Sequence, residues 1–166
     1  LTVSIVNRIA TISIPNTEWN GSETITFVAT DPENASDNDA ATFTVSAQND
    51  PPVVSDIPNQ SVAEGNTFTT IILDNYVADP DHADNQIAWT SSGSSQLTVS
   101  IVNRIATISI PNIDWNGSET ITFTATDPGT ASDNDAATFL VTNVNSTPVV
   151  SDIPNQTVAE GNLFTT

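Results

Sequence analysis

Residues 1 to 70 read almost letter for letter as residues 97 to 166, a shift of 96 without a gap and with 13 mismatches in 70 positions. A chain that repeats itself must bury each copy in the same way, so the period limits the fold. Solenoid units are short, about 20 to 50 residues, because each is one supersecondary element. A period of 96 instead suits a self-contained β-sandwich of roughly 100 residues. Two junctions set the boundaries. Asn49-Asp50-Pro51-Pro52 and Asn145-Ser146-Thr147-Pro148 each follow a strand-like run, and proline blocks strand continuation. The expected division is the C-terminal part of one repeat at 1–49, a complete repeat at 50–145 and the start of a third at 146–166. The chain opens in mid-pattern and is expected to be an excerpt. Its two end pieces cannot each bury a full core. Neighbouring repeats of the same chain, or swapped or end-to-end self-association, are expected to complete them.

The hydrophobic pattern has period two. Leu97, Val99 and Ile101 alternate with Thr98 and Ser100, Asn103-Arg104 makes a two-residue turn, and Ile105 to Ile110 resumes the alternation, which predicts a hairpin. Ile121, Phe123 and Ala125 alternate with threonines, and Ala137, Phe139 and Val141 repeat the pattern in the last strand. Val53-Val54, Phe68 to Leu73 and Ile87 to Thr90 supply three more expected strands. About seven short strands at such spacing predict an all-β, Greek-key sandwich of immunoglobulin type. Trp89 is expected in the core, and Trp19 and Trp115 as plugs over one end, with sugar-stacking platforms as the alternative.

Composition excludes several functions. There are two basic residues, both arginine, against 20 acidic ones, for a net charge of −18. Such a surface repels phosphate backbones and anionic lipid, so neither a nucleic-acid partner nor membrane insertion is expected. The absence of cysteine removes disulfides, thiolate metal sites and a cysteine nucleophile. A single histidine, His82, leaves little for histidine-based catalysis. It is expected to be solvent-exposed in an acidic loop.

The acids are expected to avoid strands and gather in turns: Glu64, Asp79 and Asp81, Asp114 and Asp127, with Asn49 and Asp50 in the linker. Oxygen ligands on loops, without cysteine or a histidine cluster, suit calcium rather than zinc or copper. Calcium takes about six to eight oxygens, so only loops meeting at one end of a sandwich can supply enough. Asp133-Asn134-Asp135 and its copy Asp37-Asn38-Asp39 read as solvated hairpin loops, with a separate calcium site as the alternative.

Val-Ala-Glu-Gly at 62–65, Asp-Pro-Asp at 79–81, Thr-Asp-Pro-Gly at 126–129 and Asn-Asp-Pro-Pro at 49–52 resemble the calcium signatures of cadherin domains. In order and spacing they resemble still more the bacterial cadherin-like tandem repeats of giant surface adhesins. The phrase running from Trp115 to Asp127, nearly repeated from Trp19 to Asp31, is similar to one those repeats carry before their last strand. The resemblance implies calcium between consecutive domains. Carried over by position, the junction would use Glu18, Asn49, Asp50, Asp79, Asp81 and Asp127. Glu64 and Asp114 would serve the next junction, where Asn145-Ser146 replaces Asn49-Asp50 and one carboxylate is lost.

The reading that follows is a structural spacer in an extracellular or cell-surface adhesin stalk, stiffened by junction calcium, and not an enzyme. The alternatives are a lectin-like glycan-binding module and a calcium-free acidic stalk. Hydrolysis by a carboxylate pair such as Glu18 with Glu23 is a weaker option, because the same phrase recurs in each copy.

Overall fold

A computed structural model describes residues 1–164; Thr165 and Thr166, the last residues of the expected third repeat, lie outside the described residues. The strands are β1 (Thr2–Val6), β2 (Ile9–Ser13), β3 (Gly21–Thr30), β4 (Ser36–Val45), β5 (Val53–Val54), β6 (Gln60–Ala63), β7 (Ile71–Ile72), β8 (Val77–Ala78), β9 (Ala88–Ser92), β10 (Thr98–Val102), β11 (Ile105–Ser109), β12 (Gly117–Thr126) and β13 (Ser132–Thr142). The fold is all-β, as the alternation predicts, with two short 3₁₀ turns at Leu73–Tyr76 and Asp84–Gln86. Asn103 and Arg104 have φ of 50° and 61°, and the pair directly joins β10 to β11, so the turn has the left-handed geometry that matches strand twist. Asn7 and Arg8 repeat it between β1 and β2.

A four-stranded sheet in the order β6-β13-β12-β9 faces a three-stranded one in the order β10-β11-β7, while β5 pairs with β8. β6 joins β13 in parallel, Phe139 opposite Gln60 and Val141 opposite Val62; the other pairings in these sheets are antiparallel. Ile121, Phe123 and Ala125 of β12 and Ala137, Phe139 and Val141 of β13 form the middle of the core, with Ile57, Leu73, Trp89, Leu97 and Ile108 closing round them. Phe139 meets Phe68 and Phe123 edge-on, at centroid distances of 5.2 and 6.4 Å, a favoured arrangement for aromatic pairs. Trp89 is core, and Trp115 packs against the core's edge.

Among the described residues, every buried one lies between Pro52 and Val141. Strands β1 to β4 form two separate hairpins, β1 with β2 and β3 with β4, and none of their side chains is fully buried. Residues 143–158 adopt no strand.

Three expectations need correction. The Phe68-to-Leu73 strand shrinks to Ile71–Ile72, because the chain turns into a 3₁₀ segment that drops Leu73 into the core. The short strands β6 and β8 carry too few residues to show a period. Most important, Asp133-Asn134-Asp135 and Asp37-Asn38-Asp39 are not hairpin loops: they lie inside β13 and β4. The loop comes earlier, where Asp127 closes a turn by hydrogen bonds with Thr130 and Ala131. In β13, Asp133 and Asp135 alternate in step with Ala137 and Phe139 and so face inward, where residues 53–57 cross the sheet. Asp133 accepts the Val54 N–H and Asp135 the Ile57 N–H, each at 2.7 Å. The acids therefore do not avoid strands. Glu23, Asp37, Asp39, Glu119, Asp133 and Asp135 are all strand residues.

Candidate metal centre

Asp127 follows Ile121, Phe123 and Ala125 on the inward face of β12, one step beyond the strand's end. That continuation makes it a buried acid, 5% exposed, at one tip of the sandwich. Its Oδ1 accepts the Ala131 N–H at 2.9 Å, and its Oδ2 accepts from Asn49 Nδ2 at 2.8 Å. Gly129 makes the second contact feasible, since a Cβ at that position would collide with the Asn49 side chain.

The Ala78-Asp79-Pro80-Asp81 segment leaves β8 at the same tip. Asp79 Oδ1 accepts the N–H groups of Asp81 and His82, each at 2.8 Å, which winds the loop around the carboxylate. The Asp79 side chain is wholly buried, and its Oδ2 has no hydrogen-bond partner among the described residues. Asp81 reaches the linker, its Oδ2 accepting the Asp50 N–H at 2.7 Å. Glu18 comes from the 1–49 portion and lines a cavity of about 260 Å³ with Trp19, Asn20, Asp50 and Asp81. A hydrogen bond with the Glu18 carboxyl pushes the Asp50 carboxyl above its ordinary range; lost solvent and the charges of Glu18, Asp81 and Asp79 act in the same direction. Glu18, Asp50 and Asp81 thus line one cavity at the linker, and Asn49 is hydrogen-bonded to Asp127, which lies beside Asp79.

His82 departs from expectation. It is only 19% exposed, with Nδ1 at 3.3 Å from Asp79 Oδ1. Ligand atoms of Asp79, His82 and Asp127 lie within 4.8 Å of one another. The loop wound on Asp79 draws the imidazole in, which spacing alone does not reveal.

A family model described as bacterial Ig domain matches residues 49–142. The chain belongs to the bacterial Ig domain family. Among solved structures it is similar to protocadherin gamma B2 extracellular cadherin domains 1–5, with 17% identity and a TM-score of 0.52 over 86% of this chain and 29% of that one. It is also similar to protocadherin gamma C5 EC1-3, with 16% identity and a TM-score of 0.50 over 87% and 53% of the two chains. The human desmocollin-1 ectodomain matches with 14% identity and a TM-score of 0.49 over 87% and 32%. The chain spans less than two thirds of each of these proteins, and at these identities the likeness concerns the fold. No curated protein matches the sequence.

At the opposite tip of the bacterial Ig domain, Glu64 and Asp114 are placed differently. Glu64 Oε1 accepts from Asn116 Nδ2 at 2.9 Å and Oε2 from the Val144 N–H at 2.6 Å. The Val144 and then the Asn116 hydrogen bond hold its carboxyl below the ordinary range against partial desolvation. Asp114 is exposed, and its own N–H is held by Asn112 Oδ1 at 3.1 Å. Glu64 thus ties the outgoing linker to the Trp115 loop through Asn116. Among the described residues, no helix is long and apolar enough to cross a membrane.

Proposed function

We propose that this chain is a spacer segment of a longer extracellular or cell-surface repeat protein, stiffened by calcium at the junction around Asn49-Asp50. The supporting observation is the buried Asp79 Oδ2 without a protein partner, set among ligand atoms that lie close together. A buried carboxylate oxygen lacking a donor is costly, and a bound cation relieves that cost. Glu18, Asn49, Asp50, Asp79, Asp81 and Asp127 would hold the ion, and six oxygen-bearing side chains meet the low end of calcium's demand. Without the ion, Glu18, Asp50 and Asp81 repel across the linker, consistent with the raised proton affinity of Asp50. With it, the two flanking portions share ligands and their relative angle is held. Extracellular modules of this sort bind at about 10⁻⁴ to 10⁻³ M, so stiffness would follow the calcium outside the cell. The next junction, with Asn145-Ser146 in place of Asn49-Asp50, would bind more weakly.

One observation favours a second reading. The His82 Nδ1 is buried without a hydrogen-bond partner among the described residues, and a nitrogen donor beside two carboxylates suits a transition metal. Thermal melts in calcium, magnesium and zinc separate the two readings. The calcium reading expects a rise of several degrees that saturates near millimolar calcium, is absent with magnesium, disappears in Asp79→Ala and survives His82→Ala. A response to micromolar zinc that is lost in His82→Ala would replace it. A melt indifferent to all three ions would leave an acidic array without a metal.

A further inference from the structure

Trp115-Asn116-Gly117 recurs as Trp19-Asn20-Gly21, and Asn20 and Asn116 are the only asparagines in the sequence followed by glycine. The fold makes the second glycine obligatory. Gly117 holds φ at 151°, in the positive region that glycine enters freely, and a Cβ there would sit 2.8 Å from the Trp115 ring. Gly117 is also the first residue of β12, and strand ends open most readily. Asn116 itself is exposed, and so is Asn20, although the complete repeat follows it.

An exposed asparagine before glycine carries its own chemistry. With no side chain to shield it, the Gly117 nitrogen gives up its proton and attacks Asn116 Cγ. The new C–N bond closes a succinimide ring as the Cγ–Nδ2 bond breaks, and Nδ2 leaves with that proton as ammonia. Water then opens the ring at either carbonyl. The product is aspartate, or isoaspartate when the main chain is rerouted through Cγ. Water enters and ammonia leaves, and nothing is oxidised or reduced.

We propose that Asn116 is a site of spontaneous deamidation, and that its conversion unfastens the linker leaving the sandwich. Asn116 Nδ2 donates to Glu64 Oε1 at 2.9 Å, while Glu64 Oε2 accepts the Val144 N–H at 2.6 Å. Through these two bonds Glu64 holds the Trp115 loop and the linker together. An ionised aspartate has acceptors only, so conversion replaces the Nδ2 donor with an oxygen facing the Glu64 carboxylate. The two carboxylates repel, Glu64 turns away, and the Val144 N–H loses its acceptor. Isoaspartate carries the same charge and also lengthens the main chain at the entry to β12. The change needs no enzyme and does not reverse, so the linker loosens with the age of the protein. It does not depend on the calcium reading.

Incubation of the 166-residue chain at mildly alkaline pH with calcium chelated, followed by peptide mapping in a mass spectrometer, tests the site. Asn116 should convert to aspartate and isoaspartate about an order of magnitude faster than Asn112. That residue is exposed in the same loop but precedes isoleucine, whose branched side chain shields the following nitrogen. Hydrogen exchange at the Val144 N–H should rise severalfold in step with conversion, and Asn116→Asp should show the raised rate from the start. Asn116→Gln, which would need a larger ring, should resist conversion. Unchanged exchange in β13 serves as the folding control. Conversion of Asn116 no faster than that of Asn112 overturns the proposal. So does exchange at Val144 that is indifferent both to conversion and to Asn116→Asp.

Discussion

Glu119 stands on the inward face of β12, beyond Ile121, where the chain enters β10. Its carboxylate accepts the N–H groups of Ser95, Gln96 and Leu97 at 2.7 to 3.1 Å, together with the Ser95 hydroxyl. Partial desolvation pushes its pKa up, and these hydrogen bonds outweigh it, holding the group at about 2 against an ordinary 4.5. The folded value lies below the unfolded one. Its stabilisation is therefore fully present above pH 4.5 and is lost as pH falls from 4.5 towards 2. Glu119→Ala should cost about 1 kcal/mol at neutral pH, a figure kept low for solvent screening. Urea titrations across pH should show the deficit vanish near pH 2; a deficit constant with pH would mean lost packing instead. Thr130 supplies the opposite case. It holds φ at 74°, while the matching residue of the other copy is Asn34 at 71°. Asparagine tolerates the left-handed region and a β-branched residue does not. Thr130→Asn should stabilise by about 0.5 to 1 kcal/mol, read as a higher urea midpoint at unchanged slope.

Strands β12 and β13 each carry carboxylates on their inward face where the apolar side chains run out. The middle of that face is sealed by the opposing sheet. At its ends the chain crosses over, and backbone N–H groups arrive with no strand to pair with. Asp133, Asp135 and Glu119 meet those donors. Asp135→Ala removes the acceptor for the N–H of a core residue and should cost about 1 to 3 kcal/mol. Asp133→Ala should couple with it, because both act on one segment. A double-mutant cycle by chemical unfolding measures this, and strictly additive losses would show that the two latches act independently.

Across the whole molecule, stability is expected to be uneven. The core lies between Ile57 and Val141, and β1 to β4 contribute no buried side chain. Local opening is governed by buried apolar contact. Amide hydrogen exchange should therefore be slowest in β12 and β13 and faster by orders of magnitude in β3 and β4, despite nearly the same sequence. Equal protection in the two pairs would show that buried apolar contact does not govern opening here.

Much of this was legible in the residues. Alternation along 97–110 and 117–141 marked the long strands and the core face, because the side-chain period of a strand is two. The Asn103-Arg104 turn followed from its spacing. The resemblance to cadherin-like repeats implied that Glu18, Asp50, Asp79, Asp81 and Asp127 serve one junction; in the fold Glu18, Asp50 and Asp81 line one cavity, and Asp79 lies beside Asp127. Asp133 and Asp135 were misread because aspartate disfavours strands and clusters in turns. Only the crossing of residues 53–57 overhead gives those carboxylates a use inside β13. The burial of His82 and the Asn116 contact of Glu64 likewise depend on packing that spacing alone does not show. The sequence by itself determined the fold class and the two repeated halves, since local periodicity carries both. The tertiary structure alone decided which polar groups are buried and what satisfies them, because each such group is paired across a sequence separation that no local pattern encodes.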